Sequence, residues 1–69
     1  MPNRDKLSEL AAILMADLED AQSIAFMAQQ PDIRLEQAVE RFEALRIKLR
    51  EIDNNMSLAE RLIAQLLQT

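Results

Sequence analysis

Carboxylates at helical spacing are the residues of this sequence that are best placed to do chemistry. They form two groups, one of Asp17, Glu19 and Asp20 and the other of Glu36, Glu40 and Glu43. Two carboxylates on one helix face can exchange protons with a substrate or hold a hard cation. Metal sites in helical bundles usually complete such a pair with a Glu-x-x-His motif, but the sequence contains no His. We therefore interpret both groups as solvated acidic faces and predict no metal-binding residue.

The other residue types do not favour catalysis. A catalytic nucleophile needs a neighbouring base, and the chain has neither His nor Cys. It also has no Gly, so no glycine-rich loop can hold a phosphate. We predict that the protein is not an enzyme, has no catalytic residue and uses no cofactor.

Basic residues are concentrated between Arg34 and Arg50, a segment that holds five of the eight Lys and Arg residues. Such a segment can bind nucleic-acid phosphates. Five acids lie within it or beside it, namely Asp32, Glu36, Glu40, Glu43 and Glu51. They cancel the positive charge, no aromatic residue is placed to stack on bases, and the net charge of -4 disfavours a polyanion. We rank nucleic acid well below protein as a ligand and expect these charges to set helix pairing.

The composition predicts an all-α fold. The 69 residues include no Gly, and Pro stands only at positions 2 and 31, so the chain has few of the residues that form β-hairpin turns. A chain of this length forms one domain, residues 1–69, whose core usually supplies about 3 to 5 kcal/mol. Disulfides and soft-metal sites are excluded because Cys and His are absent. Any additional stability of the fold must therefore come from helix packing or from another chain.

Apolar spacing in the first half predicts a helix over about residues 4–29. Its core-facing positions recur at three- and four-residue intervals, at Leu7, Leu10, Ala11, Leu14, Leu18, Ala21, Ala25 and Ala28. A loop over residues 30–32 follows, because Pro31 disfavours helix at Gln30 and Asp32 can cap the next helix. So short a connection makes the two helices antiparallel neighbours.

The second half predicts a longer helix over about residues 33–68. Apolar residues form an unbroken heptad seam of Leu35, Ala38, Phe42, Leu45, Leu49, Ile52, Met56, Ala59, Ile63 and Leu66. Residues 54–57 offer a break, because Asn54 and Asn55 are poor helix formers and Ser57 can open a capping box with Glu60. We favour a continuous helix, since the heptad phase passes through this segment without a skip.

Asp17 falls inside the apolar arc of helix one and has two interpretations. It can lie at the edge of the apolar stripe and reach solvent or an Arg of helix two. It can instead be a buried polar residue that fixes the helix pairing. We favour the first interpretation.

The helix lengths predict a second copy. Folding helix one back sets Leu7 beside Met56 and leaves about 12 residues at the end of helix two uncovered. We predict that another copy covers them in an antiparallel, four-helix homodimer. Its interface consists of Leu35, Phe42, Leu45, Leu49, Ile52, Met56, Ala59, Ile63 and Leu66. In this arrangement Arg46 lies near Asp53 of the partner subunit.

Apolar residues away from the seam predict a surface for another protein. Ile47, Leu58 and Leu62 project outward from helix two, and Arg50 and Glu51 form the rim of this partner-binding patch. The alternative is that these apolar residues pack between two hairpins or are the scattered exposed residues of any surface.

One family resemblance lies on helix two. The residues that carry it are Leu35-Glu36-Gln37-Ala38, Phe42-Glu43, Ala59-Glu60, Ile63 and Leu66-Leu67. This run resembles the second helix of the small subunit of exodeoxyribonuclease VII, a family of short helical hairpins that assemble on a large catalytic subunit. The family's glycines in the interhelix turn and after the aromatic are missing, Leu45 occupies the latter position, and helix one is several turns longer. We transfer no functional residue from the family.

The predicted function is that of a small non-catalytic binding module, a regulator that acts by occupying another protein as an inhibitor, anti-activator or adaptor. The alternatives are an accessory helical subunit of a larger complex and a small nucleic-acid-binding regulator. The amino terminus does not resemble a signal peptide, and no apolar run approaches membrane-spanning length. We therefore expect a cytoplasmic protein without membrane contact.

Overall fold

A computed structural model describes residues 2–68 of the chain, and in that range it contains two α-helices. Helix α1 spans Pro2–Ala28 and helix α2 spans Leu35–Gln68. The two helices pack against each other as an antiparallel hairpin that extends over 54 × 14 × 12 Å. The predicted all-α hairpin with a shorter first helix is confirmed. Neither helix is long and apolar enough to cross a membrane.

The connection between the helices is a compact turn over residues 29–34. The Ile33 N–H donates to the Gln30 carbonyl oxygen at 3.3 Å, which closes a turn around Pro31. The Arg34 N–H donates to Oε1 of Gln37 at 3.3 Å, and the Arg34 carbonyl accepts from the Ala38 N–H at 2.9 Å. Arg34 and Gln37 thus form half of a capping box. Helix α2 consequently begins at Leu35, two residues later than predicted, and Asp32 lies in the turn.

Helix α2 runs without a break through Asn54 and Asn55. Asn55 does not interrupt the helix because its side chain is half-buried against α1, where its Nδ2 donates to Oδ2 of Asp17 at 3.1 Å. A third helix starting at Ser57 therefore does not form, and tertiary contact outweighs the weak helix propensity of this segment.

The two helices contact each other along residues that recur at alternating three- and four-residue intervals. In α1 the buried and half-buried positions are Leu7, Leu10, Leu14, Asp17, Ala21, Ile24 and Ala28. In α2 the half-buried positions that follow this spacing are Ala38, Arg41, Leu45, Lys48, Ile52, Asn55, Ala59, Leu62 and Leu66, and Ala44 is half-buried beside them. Only Leu10, at 7% exposure, and Ala21, at 8%, form a buried core among the described residues.

The register of the hairpin differs from the predicted one. Asp17 contacts both Lys48 and Asn55, so it lies opposite the part of α2 between them. Pro2 lies 15 residues before Asp17, and Leu66 lies about as far beyond the part of α2 that faces Asp17. The start of α1 therefore lies opposite the neighbourhood of Leu66. The half-buried state of Ala59 and Leu62 agrees with that register. The prediction of a long uncovered end of α2 is therefore wrong, because α1 starts earlier and the turn is longer than the sequence suggested.

Candidate association surface

A row of large apolar side chains on α2 is left exposed by α1. Its members stand seven residues apart and their exposed fractions are 80% for Leu35, 61% for Phe42, 52% for Leu49, 42% for Met56 and 45% for Ile63. These five residues belong to the predicted dimer interface. The other four residues of that interface, Leu45, Ile52, Ala59 and Leu66, are half-buried on the side that faces α1.

A matching row on α1 is also exposed. It consists of Ala11, Leu18 and Ala25, again seven residues apart, and the exposed fraction of Leu18 is 56%. The sequence pattern placed all three in the apolar stripe of α1, and all three are exposed in the hairpin. Three apolar positions in each heptad are typical of helices in a bundle, whereas a helix pair alone needs two.

The two exposed rows lie on the same side of the hairpin. Leu18 follows Asp17 and Leu49 follows Lys48, while the Asp17 carboxylate and the Lys48 ammonium approach to 3.6 Å between the helices. One residue further along each helix turns the side chain by about 100° in the same rotational sense. Because the helices are antiparallel, equal turns from facing positions lead to the same side. Leu18 and Leu49 are therefore at one level.

Together the rows form one surface, which we call the apolar face. It consists of Ala11, Leu18, Ala25, Leu35, Phe42, Leu49, Met56 and Ile63. A shallow groove runs along its α2 edge and is lined by Phe42, Leu45, Arg46, Leu49, Arg50, Asp53 and Asn54. Arg46 and Asp53, seven residues apart, place opposite charges along the rim of this groove.

A group of charged and amide side chains lies between the helices and opens on the opposite side of the hairpin. We call it the polar network, and its members are Asp17, Asp20, Lys48, Glu51 and Asn55. The Lys48 Nζ lies 2.9 Å from Oε2 of Glu51 and 3.6 Å from a carboxylate oxygen of each aspartate. The side chain of Asp17 is only 14% exposed, whereas that of Asp20 is 65% exposed.

Asp17 combines features of the two interpretations drawn from the sequence, because it lies between the helices and keeps a small exposed fraction. Asp17 faces α2, as a buried pairing residue would, and its contacts there are Lys48 and Asn55. The hydrogen bond that Lys48 donates to Glu51 raises the pKa of Lys48 above its ordinary value of 10.5. Desolvation acts in the opposite direction, and the negative charges of Glu51, Asp17 and Asp20 add to the upward shift in the pKa. Lys48 is therefore held in its charged form.

The five predicted partner-binding residues all lie on α2, between Ile47 and Leu62. Ile47 and Leu58 are exposed, at 57% and 46%, and Glu51 belongs to the polar network. Arg50 lines the groove beside Leu49, and Leu62 is half-buried towards α1. That these five residues bind a partner stays a prediction.

The comparisons with known proteins give no identification. No protein-family model, no curated protein and no solved structure matches this chain. The resemblance of α2 to the small subunit of exodeoxyribonuclease VII rests on the residues quoted above alone. The function must consequently be inferred from the surfaces of the hairpin.

The acidic groups named in the sequence do not come together as a cation site. Asp17 and Asp20 surround the ammonium of Lys48, which already supplies a positive charge. Among residues 2–68, no group of three or more acidic side chains is arranged to hold a metal ion.

Proposed function

We propose that this protein is a small non-catalytic binding module of the cytoplasm. It acts by occupying the surface of another protein, as an inhibitor, anti-activator or adaptor, and its working form is an antiparallel four-helix homodimer. The observation that carries this proposal is the amount of apolar surface that the hairpin leaves exposed.

The hairpin alone has little to hold it together. A compact monomer of 7.9 kDa is expected to expose about 4,400 Å². This chain exposes 5755 Å², and α2 has no buried residue. Its single interface, between α1 and α2, includes the charged side chains of Asp17 and Lys48. A chain with so small a core gains stability chiefly by covering its apolar residues with another molecule.

Two sets of exposed apolar residues support two separate contacts, one with a second copy and one with the partner protein. The apolar face offers a continuous surface along both helices, which suits a second copy. Outside it, Phe26 is 62% exposed, Ile47 57% and Leu58 46%. These residues lie away from the apolar face and remain accessible in a dimer that uses it. We assign them to the contact with the partner protein, which retains Ile47 and Leu58 of the predicted patch.

An affinity capture from cell lysate tests the proposal. Tagged wild-type chain and an Ile47→Asp variant are exposed to lysate with and without nuclease, and retained proteins are identified by mass spectrometry. We expect one dominant protein that survives nuclease, is retained in fixed proportion by the wild type and is lost with Ile47→Asp. Circular dichroism and sedimentation of the variant should show unchanged helicity and an unchanged dimer mass.

Other outcomes would contradict the proposal. Retention of material that nuclease removes, with affinity that falls steeply as salt rises, would indicate a nucleic-acid-binding regulator. Recovery of the chain alone under all conditions would indicate a protein whose only partner is itself. Dissociation of the dimer by Ile47→Asp would show that Ile47 lies in the self-association interface.

A further inference from the structure

We propose that two copies of the hairpin pack apolar face against apolar face, with Leu18 and Leu49 at the two-fold axis and the turns at opposite ends. This proposal rests on the homodimer of the proposed function and specifies its interface and register. It also makes α1 half of the interface, whereas the sequence pattern indicated α2 alone.

The spacing of the apolar face is symmetric about its centre. Phe42 and Met56 each stand seven residues from Leu49, and Leu35 and Ile63 each stand 14 residues from it. In an antiparallel pair centred on Leu49, Phe42 therefore meets Met56 of the partner subunit. Leu35 meets Ile63 of the partner subunit in the same way, and Leu49 meets its own copy.

The row on α1 has the same centre and complementary sizes. Ala11 and Ala25 each stand seven residues from Leu18, so they exchange places across the axis. The central layer then contains four leucines, two copies each of Leu18 and Leu49. Each neighbouring layer combines two alanines from α1 with one Phe42 and one Met56 from α2. Large side chains beside small ones allow such layers to reach the density of a protein interior.

Charges on the groove rim agree with this register. Arg46 stands three residues before Leu49 and Asp53 four residues after it. Opposed α2 helices centred on Leu49 therefore bring Arg46 next to Asp53 of the partner subunit, twice in each dimer. Opposite charges that meet at an interface rim favour one register over others.

Two other arrangements lose this complementarity. Parallel α2 helices would place Phe42 against Phe42 and Arg46 against Arg46, so that like charges meet. A face-to-face dimer with both turns at one end would place α2 against α1 of the partner subunit. Arg46 would then lie at the level of Gln22 and Asp53 at the level of Met15, neither of which carries a charge.

The apolar face is large enough to hold a dimer. Its α2 row covers 28 residue steps from Leu35 to Ile63, which is about 42 Å of helix. Two helices packed side by side make the face about 15 to 20 Å wide. Each copy would therefore contribute about 600 to 800 Å², close to the 800 Å² or so per partner of a standard stable interface.

Single-cysteine variants of the full chain test the register, because the natural sequence contains no Cys. Each substitution replaces a residue that is at least 42% exposed, and the buried residues Leu10 and Ala21 are kept. The variants are Leu49→Cys, Phe42→Cys, Met56→Cys and the outward-facing control Ile47→Cys. A bismaleimide with a span well below 20 Å links pairs of thiols, and linked dimers are counted on denaturing gels.

We expect Leu49→Cys to link to its own copy, and an equimolar mixture of Phe42→Cys with Met56→Cys to give mixed dimers. Phe42→Cys alone should not link, since two copies of this position lie about 21 Å apart along the axis in the antiparallel register. Ile47→Cys should not link. Linked dimers should reach at least tenfold the level of this control.

Efficient self-linking of Phe42→Cys would overturn the antiparallel register. Absence of linking for both Leu49→Cys and the mixture, or a wild-type sedimentation mass of one chain, would overturn the interface. Neither result changes the outcome expected in the affinity capture. A failed cross-linking pattern with a captured, nuclease-resistant protein refutes the interface alone, whereas the expected pattern without a captured protein refutes the partner-binding function alone.

Discussion

The apolar face and the polar network occupy opposite sides of the same pair of helices, and they offer a neighbour very different surfaces. Every residue of the apolar face is apolar, and its large side chains on α2 are 42 to 80% exposed. On the other side, one ammonium group holds three carboxylates within 3.6 Å. Three carboxylates of the network share one ammonium within the chain, whereas nothing within residues 2–68 covers the apolar face.

This difference separates pairing within the chain from pairing between chains. A charged group inside the hairpin favours one register, because a shift of the helices would separate Asp17 from Lys48 and Asn55. An apolar row contributes affinity for whatever covers it. We therefore infer that the polar network specifies how α1 and α2 align, and that the apolar face supplies most of the free energy of association.

The largest expected effect comes from placing a charge on the apolar face. Leu49→Asp should cost at least about 3 kcal/mol of dimerisation free energy, because two carboxylates would face each other in an apolar layer. That cost corresponds to a dissociation constant raised at least about 100-fold. Sedimentation equilibrium over a range of protein concentrations measures it.

Ile47→Asp is the matched control for that variant. Ile47 is two residues away and 57% exposed, against 52% for Leu49, but it points to the other side of α2. Its dimer mass should not change. Equal dissociation of both variants would contradict the distinction between the two sides.

A smaller effect is expected from the polar network. Asp17→Ala removes the carboxylate that faces Lys48 and accepts a hydrogen bond from Asn55, and it should lower the free energy of unfolding by about 1 to 2 kcal/mol. Thermal and urea unfolding, at a concentration where the wild type is fully dimeric, measure the loss. Glu19→Ala, at an exposed position of the same helix, serves as the control. A variant as stable as the wild type would show that the network contributes no stability.

The charges on the groove rim should have a still smaller effect. Arg46→Glu alone should weaken the dimer by about 1 kcal/mol, because two exposed ion pairs are lost and each typically contributes about 0.5 kcal/mol. Combining it with Asp53→Arg restores opposite charges at the same two places and should restore the dissociation constant. Sedimentation at low salt gives the sharpest measurement. If the double variant is as weak as the two single changes together, Arg46 and Asp53 do not meet across the interface.

The sequence predicted the helices well, because absent glycines, a single interior proline and regular apolar spacing are local signals. It did not predict which residues of α2 face α1. The predicted seam combines two rows of α2, that of Phe42 and Leu49 and that of Leu45 and Ile52. In the structure α2 contacts α1 through the row of Leu45 and Ile52 and through the row of Lys48 and Asn55. Both sets have the same heptad period. Lys48 and Asn55 look like surface residues until their contacts with Asp17 are known.

The sequence also contains an indication of the α1 half of the apolar face, but it becomes clear only when the register of the two helices is known. Ala11, Leu18 and Ala25 belong to the predicted apolar stripe of α1, which has two or three apolar positions in each heptad. A stripe of that width indicates that a helix has two neighbours. The sequence could not say which neighbour each row contacts, because that depends on the rotation of α1 about its own axis.

The smallest expected effect is the response of the polar network to alkaline pH. The pKa of Lys48 is raised above 10.5 in the folded chain, chiefly by its hydrogen bond to Glu51, so its contribution to stability is fully present below that value and is lost as pH rises through the folded pKa. Lys6→Gln is the matched control, because Lys6 and Lys48 are the two lysines of the sequence. Unfolding of the wild type between pH 8 and about pH 11.5 should therefore show a decline above pH 10.5 that persists in Lys6→Gln and disappears in Lys48→Gln. A decline of equal size in Lys48→Gln would show that general charge repulsion, and not the network, is responsible.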